Sequence, residues 1–416
     1  MNIYILNIGN ATATSGVDRY LNVLLQEVKS YPEKIRIYKI ELMRDSTLLF
    51  HEQKEKEGYT EILIPFPLDY YEIINERYWI RKYNQYVFQL ISSIFDKNTL
   101  SVLHLHTLNL IDLALYIKSQ VPCKIITHLH CIPWKDLFNT NKKKFNTLYS
   151  ESYLHRKKRF EKDYFLTNNC EYDSYFEADK IIAVTRCAKK FLVQTMKVTP
   201  SKIAIISNGL YDNRDNSDYK RQSKISKNTF NCLYVGVLSE SKGIFYILEA
   251  LQIIYSKGYH VSFNIAGSYS SDMKKKISSN YPDLSINLLG RIPFKELKEQ
   301  YLNNDLGVIA SLQEQCSYAA IEMAMFGLPI VTTAVDGLDE MFTDNVNALK
   351  VNTQFSKIFG LKVDTDMLVE KIISLIEDES LRNKLSKNVR KLYEKKFTSK
   401  RMLEETITVY KELMYE

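Results

Sequence analysis

The sequence predicts an α/β protein made of two doubly wound, Rossmann-like parallel sheets. Three observations predict it. Short apolar runs alternate with stretches of helical period, the pattern of strand–helix–strand units. The alternation breaks once, over the polar and charged residues 213–229, and then resumes. The length of 416 residues suits two to three domains at roughly 100–200 residues each.

Taken in order, MNIYILNIGN is an apolar run closed by Gly9, and Ile3–Ile8 reads as a first buried strand. Strands Ile35–Ile40, Val102–His106, Lys124–His130, Lys180–Val184 and Lys202–Ile206 follow, with helices Tyr20–Lys29 and Ile80–Phe95 between them. The second series has strands Phe230–Val237, His260–Ile265, Ile286–Leu289, Leu306–Ala310 and Pro329–Thr333. Its helices are Ile244–Tyr255, Phe294–Asn303 and Tyr318–Phe326. The expected plan is a domain over 1–212, a linker over 213–229, a domain over 230–396 and a tail over 397–416. Ligands of open α/β sheets bind beyond the carboxyl ends of the strands, so both domains are expected to face a shared cleft.

Composition excludes several classes. With 45% apolar and 25% charged residues, the chain is neither disordered nor fibrous. Its net charge of +7 is mild for the length, so no nucleic-acid partner is expected. The N-terminus lacks a basic region and a small-residue cleavage site, so no secretory signal is expected. No run approaches the ~18 apolar residues of a membrane span; the best, Val102–Ile117, contains His104, His106, Asn109 and Asp112. Six cysteines form no CxxC pair, which reads as reduced thiols in a cytoplasmic protein. Segment 131–175 fits neither series. Within it, 135–162 holds nine Lys/Arg against three Asp/Glu, a net of +6. Such a run is either a solvated helix face or a surface for an anionic acceptor or the inner face of the cell membrane.

The densest motif is Ser311-Leu-Gln-Glu314-Gln-Cys-Ser317-Tyr318-Ala-Ala-Ile-Glu322, followed by Gly327-Leu-Pro329. Glu314 falls in a loop after a buried strand and Glu322 in the next helix. Carboxylates accept hydrogen bonds from sugar hydroxyls, and the helix N-terminus beside them suits a phosphate. Gly327 and Pro329 end the helix. Four of the seven histidines, His104, His106, His128 and His130, sit as two HxH pairs at adjacent strand ends. HxH on a strand puts both rings on one face. These rings could supply metal ligands, but no acidic or cysteine partner stands at standard spacing, so no metal is expected. Asp364-Thr-Asp366 precedes a helical stretch and reads as an N-cap.

These residues resemble the retaining glycosyltransferases of family 4, which have the two-domain GT-B fold. The resemblance rests on Glu314, Glu322 and Gly327-Leu-Pro329 as a Glu-x7-Glu motif with its Gly-x-Pro stop. It extends over Val335-Asp-Gly337-Leu-Asp-Glu340, Asp179–Thr185, Ile206–Asp212, Gly236–Gly243, Gly290-Arg291 and the tail around Phe397–Tyr415. It is weakest over 41–80 and 131–175. It implies a C-terminal helix that returns to the N-terminal domain. It also implies transfer of a sugar from a UDP- or GDP-sugar to an acceptor hydroxyl with retention of configuration, needing no cofactor, in bacterial polysaccharide or glycolipid synthesis. The acceptor would be a glycan or a lipid-linked molecule.

By the same resemblance Lys242 contacts the donor diphosphate, Glu322 the ribose, Glu314 the transferred sugar, and Ser317 and Tyr318 the helix-start phosphate. Arg291 and Ile292 hold the base, Gly16 lets the backbone approach the donor, and His130 lies beside the transferred sugar. Two departures stand out. Val237 occupies a position where the family often has Arg, and Gln315-Cys316-Ser317 replaces the common Gly-Phe-Gly. They leave room for a changed donor, a cation from elsewhere such as Arg19 or Arg186, or lost activity. The alternatives to transfer are a silent GT-B subunit that recognises an acceptor for a partner enzyme, and a GT-B epimerase or phosphorylase. Neutralising Lys142–Lys144 and Arg156–Arg159 is expected to weaken cosedimentation with anionic vesicles and to leave donor binding unchanged.

Overall fold

The computed structural model of the chain describes residues 1–10, 15–31, 35–66, 77–132, 171–215, 229–356 and 360–415. Most of segment 131–175, with all of its basic part 135–162, and most of the expected linker 213–229 lie outside them. Two compact units result. The first takes in the chain up to Cys131, the stretch ending at Gly209 and the residues from Ser399 onward. The second takes in Leu210–Thr398.

The first unit is built on β1 (Asn2–Asn10), β2 (Arg36–Arg44), β3 (Glu52–Lys56), β4 (Tyr59–Pro65), β5 (Ser101–Leu105), β6 (Cys123–Leu129), β7 (Lys180–Ala183) and β8 (Ile203–Ile205). They lie in the order β3-β4-β2-β1-β5-β6-β7-β8. All neighbours are parallel except β3 on β4. Ile3, Tyr4, Ile5 and Leu6 of the central β1 are buried on both faces of the sheet, as a parallel strand between helices must be. The β3–β4 hairpin falls where the sequence pattern was least informative. Its outer strand, Glu-Gln-Lys-Glu-Lys, is exposed throughout, and its charges guard the sheet edge against pairing.

Helix Gly16–Val28 starts on a capping box: Ser15 Oγ accepts from the Asp18 N–H, and Asp18 accepts from the Ser15 N–H at 2.6 Å. It buries Tyr20, Leu21, Leu24 and Leu25 and packs against the last helix, Ser399–Tyr415. Tyr20 Oη lies 3.5 Å from Thr406 Oγ1 across that contact. The terminal helix therefore belongs to the first unit, although its sequence follows the second.

The second unit carries β9 (Phe230–Val235), β10 (Val261–Ala266), β11 (Ser285–Gly290), β12 (Leu306–Ile309), β13 (Ile330–Thr333) and β14 (Leu349–Val351). Their order is β11-β10-β9-β12-β13-β14, all parallel. The direction of winding reverses between β9 and β12, which is where such sheets bind ligands. Helices Phe294–Asn303 and Tyr318–Phe326 have the bounds that periodicity predicts. The second of them is buried from Ala320 to Phe326. It can lie that close to β12 because Gly307 has no side chain: a Cβ there would stand 2.4 Å from Met323 Sδ. Gly327 ends the helix at φ +71°, a left-handed turn that glycine makes without strain. Asp364 caps helix Thr365–Glu377 through the Met367 N–H at 3.0 Å, which accounts for the Asp-Thr-Asp sequence.

One buried acid in the first unit lies outside both motifs. Glu171 is 2% exposed, and Tyr175 Oη donates to its Oε1 at 2.8 Å. Burial pushes its carboxyl up to about 7, against the opposing pull of that hydrogen bond. The folded chain thus keeps a proton that the unfolded chain releases, so stability is full below about pH 4.5 and falls as pH rises toward 7. Glu171→Gln should remove this dependence and raise stability at pH 8 by on the order of 3 kcal/mol, as measured by urea unfolding at pH 5 and pH 8.

Candidate functional site

In the second unit, the loops after β9 and β12 meet at the reversal of strand order. The first runs through a 3-10 turn, Glu240–Lys242, to Gly243, which has φ +73° and starts helix Ile244–Ser256. The second runs from Ala310 to Ser317. Their backbones are joined directly, the Leu312 N–H donating to Ser241 O at 2.9 Å. Gly243 is required twice over. Its φ is left-handed, and a Cβ would stand 1.9 Å from the Ala310 carbonyl oxygen.

This approach brings Lys242 onto Glu314. Lys242 Nζ donates to Glu314 Oε2 at 2.6 Å. The lysine side chain is 36% exposed and the glutamate 19%, so the pair is open enough for a ligand to compete for either charge. A third loop, after β13, locks Glu314 from the other side. The Gly337 N–H donates to Glu314 O at 2.9 Å, and a Cβ on Gly337 would stand 1.4 Å from Gln315 O. Thr333 Oγ1 adds a 2.6 Å hydrogen bond to Ser311 O. Three loops thus fix the backbone that carries Glu314.

Ser317 caps helix Tyr318–Phe326, its Oγ accepting from the Ala320 N–H. Glu322 turns inward: it is 1% exposed, and Tyr301 Oη donates to its Oε2 at 2.6 Å. Sequence spacing pairs the two glutamates, but the structure presents Glu314 at the surface and ties Glu322 to the neighbouring helix Phe294–Asn303. Tyr301 carries no motif, and nothing in the sequence singles it out. Arg291 and Ile292 follow β11, an edge strand two places from β9. Val237 is 59% exposed, and its carbonyl accepts from Tyr234 Oη at 2.9 Å; the loop after β9 has an aliphatic group where the family often has a cation.

The first unit holds Gly16 and His130. Gly16 is the first residue of its helix, and a Cβ there would meet nothing within 4 Å. Among the described residues, nothing therefore requires glycine at this position. His130 is half-buried just past β6, its Nε2 sharing a hydrogen bond with His106 Nδ1 at 2.9 Å. Its ring stacks on His128 with centroids 4.1 Å apart. His128 Nδ1 lies 3.3 Å from His104 Nε2, and His104 Nδ1 lies 2.7 Å from Tyr410 Oη. Burial lowers all four histidines, His104 and His130 to about 3. They are neutral imidazoles at physiological pH. The tyrosine on the terminal helix that completes this chain is a residue sequence spacing does not find.

Two family models match the chain in succession. Residues 45–214 match Glycosyltransferase Family 4, and residues 215–392 match Glycosyl transferases group 1. The chain belongs to the family 4 glycosyltransferases.

This glycosyltransferase is 27% identical over 264 residues to the capsular polysaccharide biosynthesis glycosyltransferase CapM of Staphylococcus aureus, covering 61% of this chain and 67% of CapM. With two further curated relatives the match spans 62% and 50% of their lengths. Its fold is that of sucrose-phosphate synthase from Thermosynechococcus elongatus, with a TM-score of 0.74 and 15% identity over 100% of this chain and 99% of the other. It is also that of Anabaena Alr3699/HepE in complex with UDP-glucose, with a TM-score of 0.67 and 16% identity over 99% and 100% of the two chains. Both structures are GT-B neighbours, and the GT-B class agrees with the two parallel sheets. Among the described residues no helix of the glycosyltransferase is long and apolar enough to cross a membrane.

The role of Gly243 can be tested by itself. Gly243→Ala should destabilise the second unit by on the order of 3 kcal/mol or more, because a carbonyl oxygen cannot yield as a flexible side chain can. Thermal unfolding checks this, with Gly16→Ala as the substitution expected to be near neutral.

Proposed function

We propose that the protein transfers a sugar from a nucleotide-sugar donor, a UDP- or GDP-sugar, to an acceptor hydroxyl with retention of anomeric configuration. The observation that carries this reading is the Lys242–Glu314 pair at the sheet's reversal point. A donor diphosphate takes up the ammonium of Lys242 and frees Glu314 to accept from the hydroxyls of the transferred sugar. The N–H groups at the start of helix Tyr318–Phe326, around Ser317 and Tyr318, face the same phosphate. Arg291 and Ile292 hold the base, and Glu322 takes the ribose, as the family resemblance implies. In the first unit, Gly16 admits the donor, and His130 hydrogen-bonds the transferred sugar as a neutral imidazole. The leaving phosphate, held by Lys242, helps to take the acceptor proton, so no protein nucleophile is needed.

The likeness to CapM, a capsular polysaccharide biosynthesis glycosyltransferase, supports a polysaccharide or glycolipid setting, with a glycan or lipid-linked acceptor. The protein acts in the cytoplasm, with the basic segment 135–162 touching the anionic inner face of the membrane. The transfer is assigned no metal, and Asp364-Thr-Asp366 is given the role of a helix cap. Exposed Val237 favours the second reading, a silent subunit that recognises an acceptor.

Lys242→Ala is expected to lower kcat by on the order of 100-fold to 1,000-fold while the protein stays folded; an unchanged kcat removes the assignment. In a thermal-shift panel of nucleotide sugars, the true donor at 100 times its Kd should add about 2.7 kcal/mol of stability. No shift with any of them would favour the silent subunit.

A further inference from the structure

The histidines of the first unit form more than a hydrogen-bonded stack. One ring nitrogen from each of His104, His106 and His128 lies within 4.8 Å of the other two. The three residues are 0%, 5% and 1% exposed. His106 Nε2 and His128 Nε2 are buried without a hydrogen-bond partner. Buried ring nitrogens are rarely left so, and here two occur in one cluster.

The remaining nitrogens are arranged as those of metal-bound histidines are. A ligating imidazole typically gives its other ring nitrogen to a neighbouring polar group, which fixes the ring and its tautomer. His104 Nδ1 is held by Tyr410 Oη at 2.7 Å and His106 Nδ1 by His130 Nε2 at 2.9 Å. That leaves Nε2 of each for a ligand, with a ring nitrogen of His128 in the same cluster. The ring of Tyr20 packs over His106 and His128, with centroids 5.3 and 4.5 Å away, and shields the cluster.

We infer that His104, His106 and His128 form a binding site for a divalent transition-metal ion, with Zn2+ as the occupant. The donor set is nitrogen only. It suits zinc, copper, nickel or cobalt and disfavours magnesium, calcium and manganese, which take oxygen ligands. Tetrahedral zinc at 2.0–2.1 Å from each nitrogen sets the three atoms about 3.4 Å apart, a contraction that small rotations of the rings can supply. Binding exchanges the 3.3 Å contact between His128 Nδ1 and His104 Nε2 for two metal bonds. The proposed site departs from the expectation of no metal, which named these rings but found no acidic or cysteine partner at standard spacing; the tyrosine that holds His104 is visible only in the fold. It is independent of the donor assignments in the second unit and assigns the ion no part in sugar transfer.

The test uses the full, untagged chain, stripped with chelator and then titrated with Co2+ and Zn2+. One equivalent of Zn2+ should stay with the protein through gel filtration. The cobalt form should show the visible d–d bands of a low-coordinate nitrogen site. His128→Gln and His104→Gln should weaken retention on the order of 100-fold, whereas His51→Gln and His260→Gln, at exposed positions, should leave it unchanged. X-ray absorption on the zinc-loaded wild type should show imidazole scattering, a readout that stands even if a core variant fails to fold. Zinc lost on gel filtration, retention equal in all four variants, or an oxygen-only shell would each overturn the inference.

Discussion

The second unit depends on how closely its loop backbones approach at the reversal of strand order. Gly243 lies against the Ala310 carbonyl and Gly337 against the Gln315 carbonyl, at distances no side chain could share. Those contacts bring three chain segments, separated by up to about a hundred residues, around one carboxylate. The Lys242–Glu314 ion pair is the consequence rather than the cause. A half-exposed pair of this kind contributes little to stability by itself, whereas the glycines determine whether the loops meet at all. Chemistry that must hold a diphosphate between a cation and a helix start needs just such a fixed meeting point.

In the first unit the constraint is burial without charge. Four imidazoles at adjacent strand ends cannot all be protonated in a space closed by Tyr20 and the terminal helix, so burial holds them neutral. Neutral rings have lone pairs to offer, and the orientation of those lone pairs is set from outside the sheet. Tyr410 reaches His104 from the last helix of the chain. The same helix packs on Gly16–Val28, so the C-terminal residues complete the core of the N-terminal unit and orient one of its histidines.

The two glutamates of the motif show how far spacing carries. Both were legible as candidates, since seven residues between them is a countable pattern. Which of them meets solvent was not legible, because Glu322 is drawn inward by Tyr301, a residue on another helix with no sequence mark of its own. The basis for Gly16 was legible only in part. A glycine after the first strand is visible, but that no described residue crowds it is a property of the packed helix. The β3–β4 hairpin escaped because Glu52–Lys56 is too polar to show an apolar alternation, its role being to end a sheet rather than to fill a core.

The sequence by itself determined the alternation of strands and helices, the bounds of helices such as Phe294–Asn303 and Tyr318–Phe326, and the family. Those properties are written in local periodicity, caps and short motifs, each read within a dozen residues. Tertiary structure decided the strand order, the membership of the terminal helix, the inward turn of Glu322 and the gathering of three histidine nitrogens within 4.8 Å. Several of these relations join residues far apart in sequence, from 21 positions for Tyr301 and Glu322 to 386 for Tyr20 and Thr406. No local pattern encodes them, because they arise only when a sheet sets strand ends side by side and a helix closes over them.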